Sequence, residues 1–263
     1  MKLTIIGTGN MGSAIAYGLS SSSLASEIEI CCTDINSQKL GEMKEAIASI
    51  QVTTDNVSAV KDADIVIIAV KPWLVEETIF EIQEALDYNR QIVVSIAAGI
   101  SLRQLSCFLS KEDDEVPAIF RVVPNTAIAV KESVNFVASE NATTDQIDVV
   151  SNLFDELGLT IQVEERLIAA CTALSSCGIA YAFRYIRAAI EGAVELGLYP
   201  EMAKNIVLQT LTGAVTLLEA NDSHPEAEID RVTTPGGITI KGLNAMEEAG
   251  FTNAVIKGLK ASV

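Results

Sequence analysis

The sequence predicts an α/β chain in two parts: a parallel sheet wrapped by helices over residues 1–163, then an all-helical part over residues 164–263. Two patterns carry this reading. Short apolar runs alternate with segments of helical spacing through the first part, which argues for parallel strands joined by right-handed crossovers. Past about residue 163 the strand signals stop, and long runs of helix-forming composition follow. A chain of 263 residues is also too long for one typical domain and suits two.

Residues 2–7 read as a continuous apolar strand that ends at Gly7-Thr8-Gly9. From Asn10 to about Ser21, Met11, Ile15 and Leu19 recur at helical spacing. A second strand is expected over 27–32 and a second helix from Ser37 to Ile50. Strands at about 64–70 and 91–96 flank a helix from Trp73 to Leu86, and a further strand at 117–123 carries Ile119, Val122 and Val123. These runs are apolar on both faces, as a sheet covered on two sides requires. In the second part, Ala182–Leu196 and Ala203–Glu219 have helical spacing, and the small residues Ala188, Ala189, Gly192 and Ala193 suit close helix–helix packing.

Composition narrows the function classes. Hydrophobic residues make up 49% and charged ones 20%, as in a compact soluble protein that needs neither disulfide nor metal. Lys and Arg number 18 against 35 Asp and Glu, a net charge of −17. Such a field repels phosphate backbones and anionic lipid, so neither nucleic acid nor membrane is an expected partner. An anionic cofactor or substrate would then need local positive potential, from helix amino termini or from lysines set in the site. Cys31, Cys32, Cys107, Cys171 and Cys177 form no C-x-x-C pair and read as small, mostly buried thiols in a reducing compartment. No signal peptide is seen at Met1-Lys2-Leu3, and no apolar run reaches the roughly 18–20 residues of a membrane span, so a cytoplasmic location is expected.

Gly7-Thr8-Gly9-Asn10-Met11-Gly12 fits G-x-G-x-x-G, a weak pattern alone. Here it follows a strand and opens a helix, the context of a Rossmann-like dinucleotide-binding domain. Gly7 permits the tight turn, Gly9 lets the N–H groups of Asn10 and Met11 approach a pyrophosphate, and Gly12 lets helix and strand pack closely. The plainer reading is a tight strand–helix turn. Asp34, just past the second strand, can hydrogen-bond the adenosine ribose and favour NADH over NADPH; equally, it can help cap the helix near Ser37. Lys39 nearby is a partial welcome to a phosphate. Ala69-Val70-Lys71-Pro72 ends a strand and turns at once, at the edge where such sheets bind ligands. Lys71 supplies positive charge there or is a solvated loop lysine. Asn56 and Ala97 fall in loops at the same edge.

Arg121-Val-Val-Pro124-Asn125-Thr126-Ala127 places a Pro-Asn turn after a strand. Asp230-Arg-Val-Thr-Thr234-Pro-Gly-Gly237-Ile-Thr239-Ile240 places Pro-Gly-Gly before a helix. That strings free N–H groups at a helix amino terminus, a carboxylate cradle or a structural cap, with Thr239 beside it.

The glycine loop, A-V-K-P, R-x-x-P-N-T and above all D-x-V-T-T-P-G-G-x-T-I together resemble pyrroline-5-carboxylate reductases, from Lys2 to about Phe251. The resemblance implies a Rossmann domain and a helical dimerisation domain, active sites at the subunit interface, and a homodimer at least, in a family where dimers often build larger rings. It implies NADPH or NADH contacted by Gly9, Asn10, Met11, Asn56, Val70, Lys71 and Ala97, with Arg231 approaching from a partner subunit. Gly237, Ile238 and Thr239 would hold the small-molecule substrate, 1-pyrroline-5-carboxylate, with Glu165 near its ring. Glu165 reads equally as a first-turn acid favoured by the helix dipole. The reaction is hydride transfer to a protonated C=N, giving L-proline. No strong general acid is required, Thr239 is the candidate catalytic contact to nitrogen, and His224 lies in a polar loop. Where the family reads L-S-G-S-G-P-A-Y, this chain has Leu174-Ser175-Ser176-Cys177-Gly178-Ile179-Ala180-Tyr181, which loses a proline at an expected helix start and makes Cys177 a pocket thiol or a buried structural one. Rival readings are a reductase of another cyclic or open-chain imine, a non-catalytic dinucleotide-binding regulator, and a β-hydroxyacid dehydrogenase. The last would want a lysine within Arg166–Ala189, where there is none.

Overall fold

The protein's structure, a computed structural model, describes residues 1–111 and 115–263. It comprises two compact units, Met1–Ser176 and Cys177–Val263.

The first unit is a sheet of eight strands: β1 (Lys2–Ile6), β2 (Glu29–Thr33), β3 (Gln51–Thr53), β4 (Ile65–Ile68), β5 (Ile92–Ser95), β6 (Ala118–Val123), β7 (Ser133–Glu140) and β8 (Gly158–Gln162). Helices α1 (Asn10–Ser20), α2 (Ser37–Ala46), α3 (Asn56–Val60), α4 (Val75–Ile82), α5 (Leu102–Leu109) and α6 (Thr144–Asp155) connect them. The strand order is β3-β2-β1-β4-β5-β6-β7-β8. The chain therefore runs outward one way through β2 and β3, then returns to start again at β4. That reversal between β1 and β4 opens a crevice at the strands' carboxyl ends.

The pleat sorts the central strands between two cores. Ile65 and Ile67 join Leu3, Ile15, Leu19, Phe120 and Phe154 in one cluster, while Val66 and Ile68 join Ile6, Val75, Ile79 and Leu105 in the other. Successive side chains point to opposite faces, so strands covered on both sides must be apolar throughout. The sheet is not wholly parallel as expected: β7 pairs antiparallel to β6, and β8 then runs parallel to β7. The cause is the short 3₁₀ connection Thr126–Val130, ended by Lys131 at φ 60, which is too short for a crossover helix. The helix expected over Ser37–Ile50 stops at Ala46, because the chain turns back to form β3.

The compact units divide at Ser176/Cys177, beyond the end of the strand signals near residue 163. Helix α7 (Ile168–Thr172) and the π-helical turn Ala173–Cys177 follow β8, and Ile168 and Ala173 are buried. Ile168 belongs to the core of the first unit, so the chain leaves that unit only after the turn.

The second unit holds α8 (Gly178–Glu195), α9 (Pro200–Asn221), α10 (Pro225–Arg231), α11 (Ile238–Glu248) and α12 (Phe251–Lys260). Helix does not start afresh at Gly178; it continues from the π turn, so the expected helix start at the Ser176–Ile179 departure is not there. The stretch Glu165–Glu195 is long and apolar enough to cross a membrane by length and composition. Thr172, Ser175 and Ser176 interrupt it, which hid it from a search for an unbroken apolar run. All five cysteines are free. Cys32 is buried, and burial, with a smaller contribution from Cys31, pushes its thiol up to about 12. Cys107 is exposed and the other three are half-buried, so only Cys32 is a fully buried thiol where most were expected to be. Cys107 sits on α5, whose buried stripe is Leu102, Leu105 and Leu109, and falls off that stripe.

Two helical glycines differ in what surrounds them. A Cβ on Gly12 would lie 2.0 Å from the Gly7 carbonyl oxygen, whereas one on Gly41 would meet nothing within 4 Å. Gly12→Ala should lower unfolding stability by about 1–3 kcal/mol through overpacking. Gly41→Ala should raise it by about 0.5–1 kcal/mol through helix propensity. Urea denaturation of both variants checks the pair; equal and small effects would mean that helix α1 is not pressed against the loop.

Candidate active site

A cleft of about 700 Å³ lies at the crevice between β1 and β4, lined by Gly7, Gly9, Asn10, Met11, Asp34, Asn56, Ala69, Val70, Lys71, Pro72 and Ala97. The glycine loop forms its floor. Gly7 sits at φ +95, and a Cβ there would be 2.9 Å from the Ala69 carbonyl oxygen. Only glycine takes that conformation without strain. Its N–H donates to the Thr33 carbonyl at 2.8 Å, tying the loop to β2. Gly12 lies behind the turn, where it lets α1 approach the loop.

Gly9 is the opposite case: nothing lies within 4 Å of where its Cβ would be. It caps α1 with no side-chain hydrogen bond, so the first N–H groups of that helix are unsatisfied at the cleft. Open space at a glycine, fronting free N–H donors at the positive end of a helix, fits a pyrophosphate. It also supplies local positive potential in a chain of net charge −17.

Asp34 borders the same cleft, half-buried. Its Oδ2 accepts the N–H and the hydroxyl of Thr8, each at 2.7 Å, and its Oδ1 accepts the Asn36 N–H at 3.0 Å. Burial by itself would raise its pKa, but the bonds from Asn36 and Thr8, helped by Lys39, hold the carboxyl below its ordinary value. Its contribution to stability is thus present above the ordinary carboxylate pKa and is lost as pH falls through the lowered one. The capping reading fails: α2 is capped by Asn36, whose side chain accepts the Lys39 N–H. Asn56, at the first turn of α3, accepts from the Thr33 hydroxyl at 2.6 Å and donates to Glu81 at 2.9 Å. Lys71 is exposed, and no ion pair involves it among the described residues.

Glu165 opens a 3₁₀ turn, and its Oε1 accepts from the Leu102 N–H at 2.6 Å and from Arg121 at 3.0 Å. The helix end it serves is thus that of α5, not only its own. Asn125, nearly buried, donates to the Ser175 hydroxyl at 2.8 Å, and Ser176 donates to the Pro124 carbonyl at 3.2 Å. The π turn is thereby fastened to the Pro-Asn turn after β6. π-Helical turns within α-helices are frequent at functional sites.

In the second unit, Thr234-Pro-Gly-Gly237 forms a turn closed by the Gly237 N–H donating to the Thr234 carbonyl at 2.9 Å. Gly236 takes φ +73, as the third position of a type II turn demands. A Cβ on Gly237 would strike the Thr234 hydroxyl at 2.6 Å. Gly237 caps α11 without a side-chain bond, leaving the N–H groups of Ile238 and Thr239 free, with Ile238 87% exposed. Arg231 ends α10 and donates to Glu228. His224 is the amino-terminal cap of α10, its Nδ1 accepting the Glu226 N–H at 3.3 Å. The groups that hold the glycine loop, Thr8 and Ser13, escaped sequence reasoning. Their signal is weak: a wildcard position of the motif and a serine just past it.

The description "Pyrroline-5-carboxylate reductase dimerisation" matches residues 165–263, and "NADP oxidoreductase coenzyme F420-dependent" matches residues 2–99. Pyrroline-5-carboxylate reductase 1 of Dictyostelium discoideum is 39% identical over 99% of this chain, which spans 48% of that protein. Pyrroline-5-carboxylate reductase 2 of the same organism is 35% identical over 99% of this chain and 90% of that protein. The crystal structure of the Plasmodium falciparum pyrroline carboxylate reductase with NADP bound superimposes with a TM-score of 0.86 at 27% identity, covering 100% of this chain and 95% of that one. A 3-hydroxyisobutyrate dehydrogenase of Mycobacterium tuberculosis, at 15% identity and a TM-score of 0.55, shares the fold alone. With its glycine loop at the head of an NAD(P)-binding unit and its T-T-P-G-G turn in a dimerisation unit, the chain belongs to the pyrroline-5-carboxylate reductase family, NAD(P)H-dependent enzymes that reduce 1-pyrroline-5-carboxylate to L-proline.

Proposed function

We propose that this reductase holds NADH or NADPH in the cleft of its first unit and the substrate carboxylate at the amino terminus of α11. One observation supports this: α1 and α11 each open on a glycine in extended backbone without a side-chain cap, whereas Gly250, which opens α12, is left-handed. Each presents free N–H groups at the positive end of a helix, the first suited to a pyrophosphate and the second to a carboxylate. Gly9, Asn10, Met11, Asn56, Ala69, Val70, Lys71, Pro72 and Ala97 bind the dinucleotide, and Arg231 adds a positive charge to a dinucleotide site. Gly237, Ile238 and Thr239 bind the substrate, with Glu165 fixing the turn that precedes α7.

The bound reduced nicotinamide supplies hydride to the imine carbon. The imine arrives carrying its own proton, so the chain needs to orient it rather than acidify it. Thr239 Oγ1 accepts the iminium N–H and stays with the nitrogen as it becomes an amine. His224 is engaged as a helix cap and takes no part. The Ser176 bond to the Pro124 carbonyl favours a second reading, in which the altered turn tunes the pocket toward a related cyclic imine. Neither nucleic acid nor membrane is a partner of this acidic chain, its site is cytoplasmic, and a second copy covers the apolar faces of α8 and α9. The decisive assay follows loss of reduced-nicotinamide absorbance on adding 1-pyrroline-5-carboxylate, with related imines alongside. Oxidation with none of them would leave only a dinucleotide-binding regulator.

Thr239→Val keeps the side chain's shape and removes its hydroxyl. It should lower kcat by about 10-fold to 100-fold while changing the binding of proline little. Full activity in this variant would make Thr239 a packing residue. Gly9→Val fills the open approach and should weaken NAD(P)H binding by at least about 10-fold in a folded protein; near-normal affinity by fluorescence titration would remove the pyrophosphate from this loop. By light scattering the active species should be a dimer or larger, with an interface well above about 1,000 Å². An active monomer at assay concentration would refute that assembly.

A further inference from the structure

We propose that Asp34 is a positioning residue of the glycine loop, fixing Thr8 and through it the backbone that meets the cofactor, rather than a reader of the ribose. Thr8 is the wildcard between Gly7 and Gly9, yet it is wholly buried. Its N–H and its hydroxyl both donate to Asp34 Oδ2 at 2.7 Å, and its carbonyl accepts the Ser13 hydroxyl at 2.8 Å. Every polar group of the residue is therefore bonded, and the loop has one conformation. The preceding residue is tied across as well, since the Gly7 N–H donates to the Thr33 carbonyl. Two successive loop residues are thus fastened to the last two residues before the β2–α2 turn. The Asn36 N–H on Oδ1 extends the tie into that turn and orients the residue that caps α2.

Three donors fill most of the roughly four acceptor positions of a carboxylate. A ribose-reading acid would keep those positions for hydroxyl groups and would discriminate between cofactors that differ at the ribose. A residue spent on the loop instead acts on what both cofactors share, the pyrophosphate contact. Charge-assisted bonds to a buried partner are the strong ones, so loosening this tie should be felt at the site.

The inference rests on the cleft being the cofactor site, and the test separates the two. Dissociation constants for NADH and NADPH would be measured by fluorescence titration for wild type, Thr8→Val, Thr8→Ser, Asp34→Asn and the Thr8→Val/Asp34→Asn double variant. Thr8→Val and Asp34→Asn should each weaken both cofactors by the same factor, about 10-fold to 100-fold. Thr8→Ser, which keeps the hydroxyl, should restore affinity, and the double variant should lose clearly less than the product of the single losses. An Asp34→Asn protein whose NADPH-to-NADH preference shifts about 10-fold, beside a harmless Thr8→Val, would overturn the proposal in favour of ribose reading. Strictly multiplicative losses would overturn it too. If Asp34→Asn does not fold, the two Thr8 variants decide, because an unaffected Thr8→Val removes the tie. Failure of wild type to bind either cofactor would instead strike the cleft assignment.

Discussion

The contact on which the rest depends is the approach of helix α1 to the turn before it. A Cβ at position 12 would lie 2.0 Å from the Gly7 carbonyl oxygen, and one at position 7 would press on Ala69 at the end of β4. Removing both side chains lets β1, the loop and α1 close up against β4. Only then do the free N–H groups after Gly9 point into a cleft rather than into side chains. The reversal of strand order opens the crevice, but the glycines decide what faces it. Thr8 and Asp34 bond across the closed turn, where a backbone stripped of side chains has most freedom to lose.

A net charge of −17 makes the binding of two anions, a dinucleotide and a carboxylate, a problem of local electrostatics. Screening limits the repulsion to about 8–10 Å at ordinary ionic strength, so what counts is the potential within the site. There the chain uses peptide dipoles more than side chains. Lys71 is the cationic side chain that lines the cleft, and the strongest donors are uncapped helix N–H groups. Side-chain caps close some helix ends, Asn36 for α2, Ser101 with Gln104 for α5 and Thr143 with Gln146 for α6, while α4, α7, α8, α9 and α12 lack one as α1 and α11 do. What sets α1 and α11 apart is a first position held by glycine in extended backbone, with no side chain over the N–H groups; Gly250, which opens α12, is left-handed at φ 82.

That contrast also explains what could be read from residues alone. The cleft was legible because glycine spacing after an apolar strand has few meanings, and because A-V-K-P ends a fully buried strand. The sheet's far edge was not: β7 carries Ser133, Asn135 and Ser139, and β8 carries Gly158 and Thr160, so neither shows an apolar run. Asn135 is nonetheless buried, its amide donating to the Phe154 carbonyl, and only the fold supplies that partner. The compact units divide beyond the last strand for a related reason. Strand signals end with β8, but the chain goes on contributing Ile168 and Ala173 to the interior before it leaves. Glu165 and Arg121 lie far apart in sequence, and nothing in either motif announces the other.

The second unit shows why assembly belongs to the same account. Of its five helices, only α9 buries a residue completely, and that residue is Ala203. Phe183 is 60% exposed and Tyr199 80% in the single chain. A soluble chain seldom leaves so much apolar helix surface to water, and the dimerisation match over residues 165–263 says what covers it. The Glu165–Glu195 stretch, with the hydropathy of a membrane span, carries part of that exposed apolar surface. The unit buries little of itself, so a paired surface would supply much of what a core supplies elsewhere. The T-T-P-G-G turn sits on that unit. The uncapped amino terminus of α11 therefore belongs to the part of the chain with the least core of its own.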